Sequence, residues 1–237
     1  MKSHIVRTSV LAFAFAIAAA PIARAQFGNF NLPGTGGTSP APAVSADDFS
    51  KLLETTTSNV LGARIQFLRS QADFATALGL KNESLIKAAE ALSAVSGPST
   101  SPGDKVKAIK DSEKKTADAQ KSVKEGLAKS ETLSDESKAK FLEGTGKFIT
   151  AIMLEKEQIA TIKKLVDQGK ALTSSASPFG KIKAIGLVKP ATELATMVPG
   201  DISEGMTVFG QITSFAAKHN IAMPSQAESM KTLGEGP

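Results

Sequence analysis

The sequence predicts an all-α protein: a helical bundle of about four long or medium helices with shorter helices at its C-terminal end, preceded by a flexible linker. Two observations lead to this fold class. Apolar residues recur at helical spacing over several long segments. No stretch shows the sustained alternation of apolar and polar residues that is typical of strands. No repeat of fixed period is found, so a solenoid is not expected.

Residues 1–25 have the features of a secretory signal peptide. Lys2 and Arg7 precede an uncharged run over 9–20, and Ala23-Arg24-Ala25 supplies the small-x-small pattern of a cleavage site. The apolar run is too short for a membrane-spanning helix, and no later window reaches 18 uncharged apolar residues. We therefore expect cleavage before Gln26 and a periplasmic or secreted mature protein with no integral membrane segment.

The charge of the mature chain argues against nucleic acid as a partner. Signal-peptide removal takes three basic residues and no acidic one from totals of 28 and 23, which leaves 25 basic and 23 acidic residues. Only two arginines remain, and the chain has no Trp or Tyr to stack on bases. It also has no cysteine, so the fold depends on its apolar core without disulfides.

Residues 26–44 are predicted to form a flexible linker, because they contain four Gly, three Pro and no charge. Phe27 and Phe30 are unusual in such a segment and leave open a second interpretation, a short hook that docks into a groove. From residue 45 the composition becomes helical. The predicted helical domain spans 45–220, and the tail over 221–237 is expected to fray.

The first helix is predicted from about Ser45 to Leu78. Ser45 is a favourable N-cap, and two acidic residues follow it in the first turn. Apolar residues recur every seven positions, and a second apolar track runs beside them, so this helix is expected in the middle of the bundle. The seven-residue series is Leu53, Val60, Phe67 and Phe74. Gly79 is expected to end the helix.

Four further segments complete the bundle. A short helix is predicted over about 83–95, and a Lys- and Glu-rich helix with a thin apolar stripe over 104–130. A long helix follows over about 135–172. The segment over 179–198 is interrupted by Pro190, which predicts two short helices or a kinked one before a last helix over about 202–219.

Catalytic and metal-binding residue patterns are missing from the sequence of the predicted mature chain. It keeps one histidine, His219, and no cysteine, too few for a histidine-based triad, a zinc site or a c-type haem. Glu155 and Glu157 are two residues apart on a helix and are expected to face apart. Three Ser-x-x-Lys pairs occur without the motifs that accompany them in acyl-transfer enzymes. We expect no enzymatic activity, no metal and no cofactor.

Two functions remain compatible with an exported helical chain of this kind. The first is binding or carrying an apolar small molecule such as a lipid, because several helices are apolar on more than one side. The second is a non-catalytic scaffold that binds a protein partner in the cell envelope. For the first, we expect a pocket between the long helices and the C-terminal segment. Its predicted lining residues are Phe67, Phe74, Phe148, Ile152, Phe179, Ile185, Leu187, Met197, Met206, Phe209 and Phe215.

Overall fold

A computed structural model describes residues 45–129, 133–227 and Met230, except for the side chains of 178–180. Helices account for 87% of the described residues and no strand occurs among them, which confirms the predicted all-α bundle. The predicted signal peptide, the predicted linker and most of the predicted C-terminal tail lie outside the described residues. The signal peptide and the linker are not tested by the structure. The described part of the tail does not fray, because Ile221, Ala227 and Met230 are buried in the core.

Five helices follow one another in the described chain. They are α1 (Ala46–Ala77), α2 (Glu83–Ala94), α3 (Pro102–Lys129), α4 (Asp135–Ser175) and α5 (Pro178–Lys218). The start of α1 agrees with its predicted cap, because the Ser45 hydroxyl accepts hydrogen bonds from the backbone N–H groups of Asp47 and Asp48. The end agrees as well: Gly79 follows with φ of +67°, a left-handed conformation that glycine adopts without strain.

Helices α1 and α4 pack antiparallel and form the centre of the bundle. The rings of Phe74 and Phe141 lie 5.4 Å apart near the C-terminal end of α1. Further along, Asn59 Nδ2 donates a hydrogen bond to Gln158 Oε1 at 3.4 Å. This register places the first turn of α1 beside the last turns of α4. Helices α2, α3 and α5 pack around the central pair.

The prediction of separate short helices in the C-terminal part is wrong, because α5 is one continuous helix through both prolines. Pro190 and Pro199 both lie inside it. Each proline removes a backbone hydrogen bond, which would normally end or kink a helix. Here Ala191, Leu194 and Val198, which lie between the two prolines, are fully buried. The apolar burial of α5 therefore outweighs the loss of two backbone hydrogen bonds.

Gly144 allows a close approach of α4 to α1, and this contact gives a first prediction. A methyl group at Gly144 would stand 3.0 Å from the Phe74 ring and 3.0 Å from the Ser70 carbonyl oxygen. Because a backbone oxygen cannot move aside freely, Gly144→Ala should lower the free energy of unfolding by about 1–3 kcal/mol. Urea denaturation followed by circular dichroism measures this change.

A matched control lies two residues further along α4. A methyl group at Gly146 would meet nothing within 4 Å. Gly146→Ala should therefore stabilise the helix by roughly 0.5–1 kcal/mol, since alanine is the better helix former. If both substitutions changed the free energy of unfolding equally, the close approach of α4 to α1 would not be what requires glycine at position 144.

Candidate functional site

The eleven residues predicted to line a pocket occupy three different environments. Five are buried in the core: Phe74, Phe148, Ile152, Phe209 and Phe215. Four are partly buried and pack against that core: Phe67, Leu187, Met197 and Met206. Ile185 is exposed, and the side chain of Phe179 lies outside the described ones. The structure therefore brings most of these residues to one core but does not arrange all eleven around one surface.

Several of the buried residues contact one another directly. Phe67 lies 5.7 Å from Phe148, measured between ring centroids, and Phe141 lies 4.9 Å from Phe215. The row continues to His219, whose ring is 4.3 Å from that of Phe215. Such distances are those of aromatic rings in contact. Along this row, the space between α1, α4 and α5 is filled by the side chains themselves.

A buried ionic cluster joins four helices at the middle of the bundle. Arg64 on α1 has its Nη2 atom 2.5 Å from Glu113 Oε1 on α3 and 2.6 Å from Asp201 Oδ2 on α5. Glu155 on α4 is 3% exposed and interacts electrostatically with Arg64. Beside the cluster lies a cavity of about 20 Å³, lined in part by Arg64, Glu155 and Gly205. A cavity of this size admits a water molecule and nothing larger.

The cluster has three carboxyl groups and one cation, and burial raises the pKa of all three carboxyl groups. Burial raises the pKa of Glu155 to about 8, against the opposing attraction of Arg64. Burial also raises the pKa of Asp201 and of Glu113, with Arg64 again opposing the shift. A protonated Glu155 reduces the net negative charge around Arg64. With so small a cavity beside it, we interpret the cluster as a link between helices.

An open groove with a mostly apolar lining lies on the surface of the α4–α5 pair. Its volume is about 340 Å³. Apolar residues from both helices form most of its lining: Ile159, Ile162 and Val166 from α4, and Ala195, Val198 and Pro199 from α5. Lys163, Asp167 and Lys170 complete it. We refer to this feature as the α4–α5 groove.

Sequence reasoning did not identify the α4–α5 groove, although one signal for it was present. Ile159 and Val166 fit the apolar stripe of α4, a pattern that by itself predicts burial in the core. In the structure, Ile159 is 40% exposed. The apolar stripe of α4 thus continues onto a surface that no other described helix covers.

The described residues contain neither a candidate metal site nor a candidate membrane-spanning helix. No group of three or more His, Cys, Asp or Glu side chains in this part of the chain is placed to hold a metal ion. Among the helices that the structure describes, none is long and apolar enough to cross a membrane.

The fold and the groove define a class of protein, an α-helical bundle with an apolar surface groove. Comparisons with known proteins do not assign the chain to a family, since no family profile, curated protein or solved structure matches it.

Proposed function

We propose that this chain is an exported, non-enzymatic protein that binds a single-chain anionic lipid, such as a fatty acid, in the α4–α5 groove. The observation that carries the proposal is the groove itself. Its volume of about 340 Å³ lies within the range of small-molecule sites, which is about 300–1,000 Å³. Six of its nine lining residues are apolar. An apolar lining with a few polar groups is typical of such sites.

The polar residues of the groove suggest the chemistry of the head group. Lys163 and Lys170 are both exposed, and each ends in an ammonium group. An ammonium group attracts a carboxylate, and the aliphatic stem of a lysine can extend along apolar surface. The alkyl chain would lie on the apolar lining with its carboxylate at the lysines. The proposed ligand site is the surface groove and not the core pocket predicted from the sequence. The core residues predicted to line that pocket pack against one another and leave no room for a lipid.

A displacement titration with a fluorescent fatty acid tests the proposal. Ala195 lines the groove and is partly exposed, so Ala195→Trp should fill the groove and weaken binding by roughly tenfold or more, about 1.4 kcal/mol. Ala217 is exposed on the same helix outside the groove lining, and Ala217→Trp should leave affinity unchanged. Equal affinity of both variants and the unsubstituted protein would rule out the α4–α5 groove as the site.

A second pair of measurements separates the head group from the alkyl chain. The double variant Lys163→Gln/Lys170→Gln should bind the fatty acid more weakly and its uncharged methyl ester with unchanged affinity. If both ligands lose affinity equally, the lysines do not contact the carboxylate.

The filled core and the four-helix ionic cluster favour a second function, a scaffold that binds an envelope protein. A well-packed core gives a rigid surface for contact with a partner. In that case the protein should bind no fatty acid, and Ala195→Trp should leave its biological role intact.

A further inference from the structure

Charge is distributed very unevenly along the mature chain. The end of the α4–α5 hairpin, residues 163–189, contains six lysines and one acidic residue. The rest of the predicted mature chain contains 19 basic and 22 acidic residues. The single acid, Asp167, has its Oδ1 atom 3.9 Å from Lys170 Nζ. We call residues 163–189 the hairpin end; it carries a net charge of +5 on a protein that is close to neutral.

The six lysines are exposed and come from both helices. Lys163, Lys164 and Lys170 lie on α4, whereas Lys181, Lys183 and Lys189 lie on α5. Lysines of one sign clustered at one end of a molecule produce a local positive potential that attracts a negatively charged surface.

Large apolar side chains are exposed at the same place. Ile182 is 73% exposed and Ile185 is 57% exposed, the two highest values among the large apolar side chains of the described residues. They are three residues apart on α5 and therefore lie on one face of the helix. Lys181 and Lys183 flank Ile182 directly. An apolar face bordered by lysines is the pattern of a helix that lies in a membrane interface.

The position of the hairpin end makes it accessible. The same α5 segment packs against α4 through Val188, where a methyl group at Gly169 would stand 2.7 Å from a Val188 methyl carbon. Since the first turn of α1 lies beside the last turns of α4, the turn between α4 and α5 lies beyond the end of α1. Ile182 and Ile185 are therefore exposed near an end of the bundle that the first turn of α1 does not cover.

From this charge and exposure, we infer that the hairpin end docks the protein on the surface of an anionic lipid bilayer. The isoleucines insert among the head groups, and the lysines lie at the phosphate level. Two copies of this face are a poorer match for each other, because six lysines on each would repel across the contact. The hairpin end shares Lys163 and Lys170 with the α4–α5 groove, but Lys181, Ile182, Lys183 and Ile185 lie outside the groove lining. Substitutions at these α5 residues therefore test the membrane surface separately from the groove.

The test is cosedimentation of the full mature chain with vesicles. We expect binding to vesicles of phosphatidylcholine mixed with phosphatidylglycerol and little binding to phosphatidylcholine alone. In ~1 M salt, where the Debye length is about 3 Å, binding should weaken strongly. Lys181→Gln/Lys183→Gln should lower the partition coefficient by roughly tenfold or more, since each lysine near an anionic surface contributes about fivefold. Ile182→Ser/Ile185→Ser should cause a comparable loss.

Matched controls use residues of the same type elsewhere. Lys114→Gln/Lys121→Gln removes two exposed lysines from α3, and Ile86→Ser removes an exposed isoleucine from α2. Neither control should change vesicle binding. The hairpin variants should keep the helical spectrum of the unsubstituted chain and still bind free fatty acid, which distinguishes this inference from the groove proposal.

Three results would overturn the inference. The first is equal binding to neutral and anionic vesicles. The second is an equal loss of binding in the control variants. The third is a dimer in sedimentation analysis that Ile182→Ser/Ile185→Ser abolishes while no vesicle binds, which would make this face a contact between two copies of the chain.

Discussion

Replacing Arg64 with methionine should lower the free energy of unfolding by about 3–5 kcal/mol at neutral pH. Arg64 is 4% exposed and is the cation between Glu113, Asp201 and Glu155. Its removal leaves the carboxylates of Glu113 and Asp201 without a cation, and the charge of a partly buried carboxylate is costly in a medium of low polarity. Urea denaturation at pH 7 measures the loss.

Arg69→Met is the matched control for this substitution, because Arg69 is exposed on the same helix. Its expected effect is within about 0.5 kcal/mol. The loss caused by Arg64→Met should also shrink as the pH falls, since protonation neutralises the carboxylates. A penalty below about 1 kcal/mol at pH 7 would mean that the ionic cluster contributes little to holding the helices together.

Stability should fall as pH rises from about 5 to about 8, and Glu155 should account for most of the change. Burial raises the pKa of Glu155 from its ordinary 4.5 to about 8. In that interval the folded protein keeps a proton that the unfolded chain has released. The contribution of this proton to the free energy of unfolding has its full value below pH 4.5. It is lost as the pH rises through about 8. The expected slope is roughly 1 kcal/mol per pH unit.

The variant Glu155→Gln isolates this contribution. Glutamine has nearly the same shape and no titrating proton, so the slope between pH 5 and 8 should flatten and the variant should be the more stable protein at about pH 8. Glu157→Gln is the control, because Glu157 is exposed on the same helix. Identical pH profiles for Glu155→Gln and the unsubstituted protein would show that Glu155 is ionised in the folded state.

The helices were largely predictable from the sequence because their signals are local. Ser45 and Ser134 cap α1 and α4 as hydrogen-bond acceptors, and Gly79 follows the end of α1. The continuity of α5 was not predictable, because it depends on burial against α4. The rule that proline interrupts a helix considers only the local chain at Pro190 and Pro199, so it does not account for burial against another helix.

The buried ionic cluster and the α4–α5 groove were beyond sequence reasoning for a related reason. Arg64, Glu113 and Asp201 belong to three different helices and meet only in the assembled bundle. One signal was available: Glu155 lies in phase with the apolar stripe of α4 at Ile152 and Ile162, whereas Glu157 does not. A charged residue within an apolar stripe needs a partner of opposite charge, and Arg64 has this position on α1.

The antiparallel pairing of α1 with α4 also has a consequence for the order in which the chain folds. Helix α1 ends at Ala77, but its main partner begins only at Asp135. Contacts between distant segments require the closure of a long loop, which slows folding relative to contacts between neighbouring helices. Helices α4 and α5 can pair as soon as both have formed, whereas the side of α1 that packs against α4 stays uncovered until α4 reaches it. We therefore expect docking of α1 onto a preformed α4–α5 hairpin to be the rate-limiting step of folding.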